Sequence, residues 1–202
     1  MSVPTIGILG GVGSGKSTVV RHVTDFRLLI IDADKIGHDL LQDEGVLRQL
    51  TEAFPSSVFD SDGQVIRPKL AELVFGDSAE HREALNTLEE IIHPAIGTEI
   101  KRQTARVDSD VDAIILDAAI LLEAGWGDVC DHLIFIETPE SHRIERVREN
   151  RGWSAEELKR REESQMSLSD KKQKAGFVVD NSGTLDESAE QMTEVLRKLI
   201  DR

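Results

Sequence analysis

The stretch "GILGGVGSGKST", residues 7–18, follows directly on the chain's first apolar run. Its glycines remove the side chains that keep a backbone from wrapping closely around a ligand. One lysine and the neighbouring hydroxyls suit a ligand that is anionic and carries a metal. Gly10-x-x-x-x-Gly15-Lys16-Ser17 matches the phosphate-binding loop, which requires a strand before it and a helix after it. Both are expected here. Thr5–Leu9 reads as a buried strand, and Ser17–Phe26 carries Val20, Val23 and Thr24 at helical spacing. The cradle is expected to run over Gly11, Val12, Gly13, Ser14, Gly15, Lys16, Ser17 and Thr18. Successive N–H groups and the helix N-terminus there hold a β-phosphate. Lys16 reaches the β- and γ-oxygens, and the Ser17 hydroxyl is placed to ligate Mg²⁺. A nucleoside-triphosphate site is the reading that answers to this loop.

A loop of this kind belongs on a parallel sheet, and the remaining sequence supplies one. Leu28–Ile31, Ala113–Leu116, His132–Ile136 and Phe177–Val179 are further short apolar runs. The predicted architecture is α/β, a three-layer α/β/α arrangement around a five-stranded parallel sheet. Between the second and third strands the chain reads mainly as helix: "KIGHDLLQ", "GVLRQLTEAF", "PKLAELVF" and "EALNTLEEIIHPAIGTEIKRQTA". The segment "PSSVFDSDGQVIRP" interrupts them. Thr138-Pro139 predicts a helix start, with Thr as cap. Ser154-x-x-Glu157 and Thr184-x-x-Glu187 predict capping boxes. One domain of 202 residues is expected. Its core is expected to comprise 1–34, 107–150 and 175–202, with a helical insertion over 35–106 and a helical lid over 151–174.

The net charge of −14 argues against general nucleic-acid binding, which needs a basic footprint. Residues 143–174 nevertheless hold ten of the 24 Lys and Arg against seven acids. Such a stretch is either a solvated helix with i,i+4 pairs or a surface for a small anion. No run of about 18 apolar residues predicts a membrane span. "MSVPTIG" lacks the layout of a signal peptide, so a cytoplasmic location is expected. Cys130 is the only cysteine, which excludes an intrachain disulfide.

The acids must decide which reaction the loop serves. Asp32 and Asp34 stand two apart at the end of the second strand, and strand geometry predicts that both side chains point the same way. At a sheet's carboxyl edge, one can accept the proton of an attacking hydroxyl while the other orders water around Mg²⁺. The alternative is that "DAD" caps the next helix. Asp117, ending the third strand, stands where an acid often completes a magnesium shell. Glu123 either joins the site or faces solvent. His93-Pro94 is either structural, with Pro94 setting a kink or boundary, or part of a site. Arg67 is an anion contact or a surface arginine. Arg161 and Lys171 are candidates to close over phosphates.

Taken together, "IGILGGVGSGKSTV", "IDADKIGHDLL", "IIHPAI", "LLEAG", "SQM" and "VVDNSG" resemble the dephospho-CoA kinase family, over about residues 5–200. The resemblance implies ATP-dependent phosphorylation of the ribose 3′-hydroxyl of dephospho-CoA, the last step of coenzyme A synthesis. It implies ATP and Mg²⁺ as cofactors, and a monomer, or at most a weak homo-oligomer, without nucleic-acid or membrane partners. By resemblance Asp34 is the general base with Asp32 beside it, Lys16 and Ser17 serve phosphate and Mg²⁺, and Arg161 is the lid arginine. Asn181 falls on the loop near the adenine, and Arg67, His93 and Glu123 fall on the acceptor side. The chain departs from the family's pattern twice. Ala119-Ile120-Leu121-Leu122-Glu123 stands for Pro-Leu-Leu-Phe-Glu, and Asn150-Arg151 stands for Arg-Asp, leaving Arg148 or Arg151 to supply the charge. Other readings are a kinase of the same fold for another hydroxyl metabolite, or a nucleotide-dependent switch. Against a guanine-reading switch, the chain has no Asn-Lys-x-Asp element.

Overall fold

All six residues of the first strand, β1 (Thr5–Gly10), are buried. An uncharged run of this kind needs cover on both faces, which is the habit of parallel sheets. The computed structural model describes residues 3–76 and 78–200. After β1 follow α1 (Lys16–His22), β2 (Leu28–Asp32), α2 (Ala33–Leu40), α3 (Glu44–Ala53), α4 (Arg67–Val74) and α5 (Ala79–Thr104). Then come β3 (Ala113–Asp117), β4 (His132–Glu137), α6 (Glu140–Arg151), α7 (Ala155–Glu163), α8 (Leu168–Lys174), β5 (Phe177–Asp180) and α9 (Leu185–Ile200). The sheet order is β2-β3-β1-β4-β5, with every pairing parallel. The five strands and the α/β class expected from the sequence are therefore present.

The chain divides into two compact units. One takes the described residues up to Asp32 and from Gln103 onward, so that α7 and α8 fall within it; the other is Ala33–Arg102. In the first unit, α9 presents Met192, Val195, Leu196 and Leu199 at the i, i+3, i+4, i+7 spacing of an apolar stripe. They share one buried cluster with Val19 and Val20 of α1 and with strand residues such as Ile6 and Ile134. In the second unit, Val46 and Leu50 of α3 and Leu70 and Val74 of α4 form a cluster against which Leu85, Leu88 and Ile92 of α5 pack. The predicted break at 55–68 is a small hairpin. Phe59 bridges Val65, and Asp60 Oδ1 accepts the N–H groups of Asp62 and Gln64 at 2.9 and 2.8 Å.

Three local expectations change. α1 ends at His22 rather than Phe26, where Val23 leaves the helix in an extended conformation with its N–H on the Val20 carbonyl. Thr138 does not cap α6; its hydroxyl donates to the Ser14 carbonyl at 2.9 Å, and Pro139 holds the N-cap position without a side-chain bond. Pro94 sets no boundary, since α5 continues through it for 26 residues in all. The lost hydrogen bond, costing about 3 kcal/mol in a helix interior, is offset by packing of Ile91, Ile92 and Ala95 around it and by the buried Ile96 and Ile100. Of the two predicted capping boxes, that at Thr184 forms in full, while at Ser154 the hydroxyl caps but the Glu157 carboxylate turns to Arg160 and Arg161. Ser154 accepts the Glu157 N–H at 3.2 Å, and Thr184 and Glu187 bond reciprocally at 2.8 and 3.3 Å.

Candidate active site

The loop between β1 and α1 turns on glycines in the left-handed region, Gly13 at φ 74° and Gly15 at φ 80°. A Cβ on Gly13 would lie 2.7 Å from Val147 Cγ1, so neither the backbone nor the space admits a side chain there. Lys16 Nζ reaches the carbonyls of Gly10 and Gly11 at 3.3 and 3.2 Å. Its ammonium thus lies along the loop it belongs to. The Ser17 hydroxyl donates to Asp117 Oδ2 in a short hydrogen bond across 100 residues of sequence. The β2–β3 register sets Asp32 opposite Asp117, so two carboxyl groups end neighbouring strands, and that of Asp117 takes the Ser17 hydroxyl. Ser14 Oγ, 1% exposed, has no hydrogen-bond partner among the described residues. A buried hydroxyl without such a partner, 2.8 Å from where a Cβ on Gly10 would lie, fits a polar ligand at the loop. Hard oxygen donors from Ser17, Asp117 and Asp32 fit Mg²⁺, which takes carboxylates together with phosphate oxygens.

The loop is braced from behind. The Ser14 carbonyl accepts from Asn181 Nδ2 at 2.7 Å, Thr138 Oγ1 at 2.9 Å and Arg146 Nη1 at 3.2 Å. Asn181, expected beside an adenine, is buried with both ends of its amide engaged. Its Oδ1 accepts from Ser188 Oγ at 2.9 Å, and its backbone N–H donates to Glu137 at 2.7 Å. The side chain supports the cradle from behind.

The charged stretch after β4 is only partly a solvated face. Arg143 of α6 is 5% exposed and pairs through Nη1 with Glu162 of α7 in a short contact. The same Glu162 oxygen accepts the Val12 N–H of the loop at 3.2 Å. Arg161 donates to Glu157 Oε1 at 2.7 Å and lies over the Trp153 ring at 4.0 Å from its centroid. Arg151 lies over the same ring at 4.7 Å. Asn150 donates its amide to the Arg146 carbonyl. The Arg161 guanidinium holds the Glu157 carboxyl below the usual carboxylate range.

Lys171, expected as a cation closing over phosphates, is buried at 1% exposure. Its ammonium meets Glu123 Oε1 at 2.9 Å, Gln165 Oε1 at 3.0 Å and the Ala119 carbonyl at 3.2 Å. Glu123, in turn, accepts the Met166 N–H at 2.8 Å. Both residues therefore join α8 to the segment after β3, because a buried ammonium demands an anionic partner. Leu121, in the departing "AILLE" segment, is buried at 1%.

In the second unit, Asp34 is the second residue of α2, where its charge complements the helix N-terminus. Strand geometry ends at Asp32, so the expectation that alternation along a strand aligns the two side chains does not hold. Arg67, the first residue of α4, donates from Nη1 toward His38 Nε2 at 2.8 Å. His93 stands mid-way along α5, one residue before Pro94.

The sequence profile of the dephospho-CoA kinase family matches residues 4–187. The chain belongs to the dephospho-CoA kinase family. A dephospho-CoA kinase of Carboxydothermus hydrogenoformans is 35% identical over 198 residues, covering 97% of this chain and 94% of that one. One from Rhodopirellula baltica is 35% identical over 202 residues, covering 99% and 89%. A solved dephospho-CoA kinase from Campylobacter jejuni shares the fold, with a TM-score of 0.71 at 23% identity over 98% of this chain and 97% of that one.

Three contributors to this dephospho-CoA kinase family site escaped the sequence reading: Arg143, Arg146 and Glu162. The signal available was the i, i+3, i+4 set Arg143, Arg146 and Val147 on one face of α6. The two cations made that face look solvated, and only the buried Val147 betrays its contact with Gly13.

Proposed function

We infer that the protein transfers the γ-phosphoryl group of ATP to the ribose 3′-hydroxyl of dephospho-CoA, giving coenzyme A and ADP. The observation that carries this reading is the phosphate loop with its Ser17–Asp117 bond, in a chain whose family match spans residues 4–187. In the transfer, the 3′-oxygen forms a bond to the γ-phosphorus as the bond to the ADP oxygen breaks. Loop N–H groups and Lys16 stabilise the charge spread over the phosphoryl oxygens. Asp34 takes the hydroxyl proton, and Asp32 orders the surroundings of the metal. Ser17, Asp117 and Asp32 would hold Mg²⁺, which when bound would supply neutralisation of phosphate charge.

The proposal extends to organisation. Residues 35–106 receive the acceptor, with Arg67 and His93 contacting its anionic groups, and 151–174 act as a lid in which Arg161 meets the reacting phosphates. Glu123 contributes to acceptor binding through the placement of its segment. The protein works as a monomer in the cytoplasm with small-molecule partners alone. Among the described residues no helix is long and apolar enough to cross a membrane. ADP release measured with dephospho-CoA, adenosine, AMP and shikimate tests the reading: turnover only with dephospho-CoA is expected. Equal turnover with another acceptor, or without any acceptor, overturns it.

A further inference from the structure

The loop's Val12 N–H points at a side-chain carboxylate rather than at solvent. Glu162 Oε1 takes that N–H at 3.2 Å and the Arg143 guanidinium in the same place. An added Cβ on Gly11 would lie 2.9 Å from both Arg143 Nη1 and Glu162 Oε1, so the three groups converge on one face of the loop. Arg143 is buried, and its Nε has no hydrogen-bond partner among the described residues. A buried guanidinium with unused donor capacity beside a phosphate cradle has more to offer an anion than one carboxylate takes. Glu162 therefore engages the two kinds of donor, a loop N–H and an arginine, that bind phosphate oxygens.

We propose that Glu162 is an intramolecular competitor of the nucleotide triphosphate, whose displacement from Val12 and Arg143 couples phosphate binding to movement of α7. The carboxylate and an arriving phosphate carry like charge and use the same donors, so they exclude one another. When the phosphate wins, Arg143 passes from Glu162 to the anion. Glu162 sits next to Arg161 on α7, so its release is felt by the arginine stacked on Trp153. The competition lowers affinity for any triphosphate and makes the lid helix respond to the phosphates rather than to the base.

This inference rests on the loop taking ATP. The test therefore measures binding of ATP and of inorganic tripolyphosphate to the full chain by calorimetry, alongside tryptophan emission with Trp153→Phe as control. Wild-type protein is expected to bind both probes and to change its Trp153 emission on binding. Glu162→Gln keeps an oxygen for Val12 and Arg143 but removes the charge. It is expected to bind both probes about 5–20-fold tighter, with emission before ligand addition already shifted toward the bound value. Glu162→Asp keeps the charge but loses one methylene of reach, and should also bind more tightly. It serves if the Gln variant does not fold. Unchanged or weaker binding by either folded variant overturns the competitor role and makes Glu162 a fixed brace. Failure of wild-type protein to bind either probe overturns instead the phosphate-loop reading on which it rests.

Discussion

Replacing Lys171 with Met tests whether that ammonium is part of the fold's interior or of the phosphate machinery. The side chain is 2% exposed, and its three oxygen partners lie at 2.9, 3.0 and 3.2 Å. Breaking a fully buried ion pair from one side costs about 3–5 kcal/mol, mostly from the stranded partner charge. Glu123 is 21% exposed and keeps the Met166 N–H, so water and that bond relieve part of the penalty. A loss of about 2–3 kcal/mol follows, and for a chain of this length it lowers Tm by roughly 5–10 °C. Adding Glu123→Gln, which still accepts from Met166, removes the stranded charge and should restore more than half of the loss. Thermal unfolding of the single and double variants by circular dichroism reads this directly. ATP affinity should be little changed in the folded protein. A Lys171→Met variant that melts within a degree of wild type but loses ATP affinity refutes the reasoning and returns Lys171 to the phosphates.

Lys16→Ala should cut turnover on the order of 10³ or more while the melting curve stays near wild type; near-normal turnover in a folded variant contradicts the loop assignment. Arg161→Ala should lower kcat more than it weakens ATP binding, because a lid closes fully only around the reacting phosphates; an affinity loss at constant kcat makes it a nucleotide anchor instead. Asp34→Asn should cut turnover by roughly 10²–10⁴ at all Mg²⁺ concentrations, whereas Asp32→Asn should be milder at saturating Mg²⁺; the opposite pattern in a Mg²⁺ titration reverses the two roles. Burial, aided by Asp131, pushes the Cys130 thiol up to about 12, so the thiol stays neutral from pH 6 to 9 and iodoacetamide should label it only after denaturation; rapid labelling of native protein contradicts that burial.

The loop, the five strands and the caps at Ser154 and Thr184 were legible because each depends on residues close in sequence. That Asp117 lies near the loop could be expected because the ends of parallel strands share one edge of a sheet, and Ser17 meets it there. What stayed hidden depends on long-range pairing. Nothing near Lys171 in the sequence shows that it is buried against Glu123, 48 positions earlier. Arg143 looked solvated because charge was read without a partner, and Glu162 supplies that partner from the next helix. The brace that Asn181 gives the loop is equally remote, since its amide meets Ser14 at a separation of 167 residues. Thr138 shows the same limit: its hydroxyl was read as serving its own helix, and the Ser14 carbonyl takes it instead.

The three donors that converge on the Ser14 carbonyl come from three places in the chain: the turn before α6, α6 itself and the turn after β5. Together they hold one peptide plane of a glycine-rich loop that would otherwise sample many shapes. Ordering a residue's backbone costs about 1–2 kcal/mol of entropy. A floppy five-residue loop would subtract that from nucleotide affinity at every binding event. Here the cost is met once, when the sheet and its crossovers fold, and each ATP finds the loop already shaped. Weakening these remote braces should therefore loosen nucleotide binding through entropy alone, with no ligand contact removed.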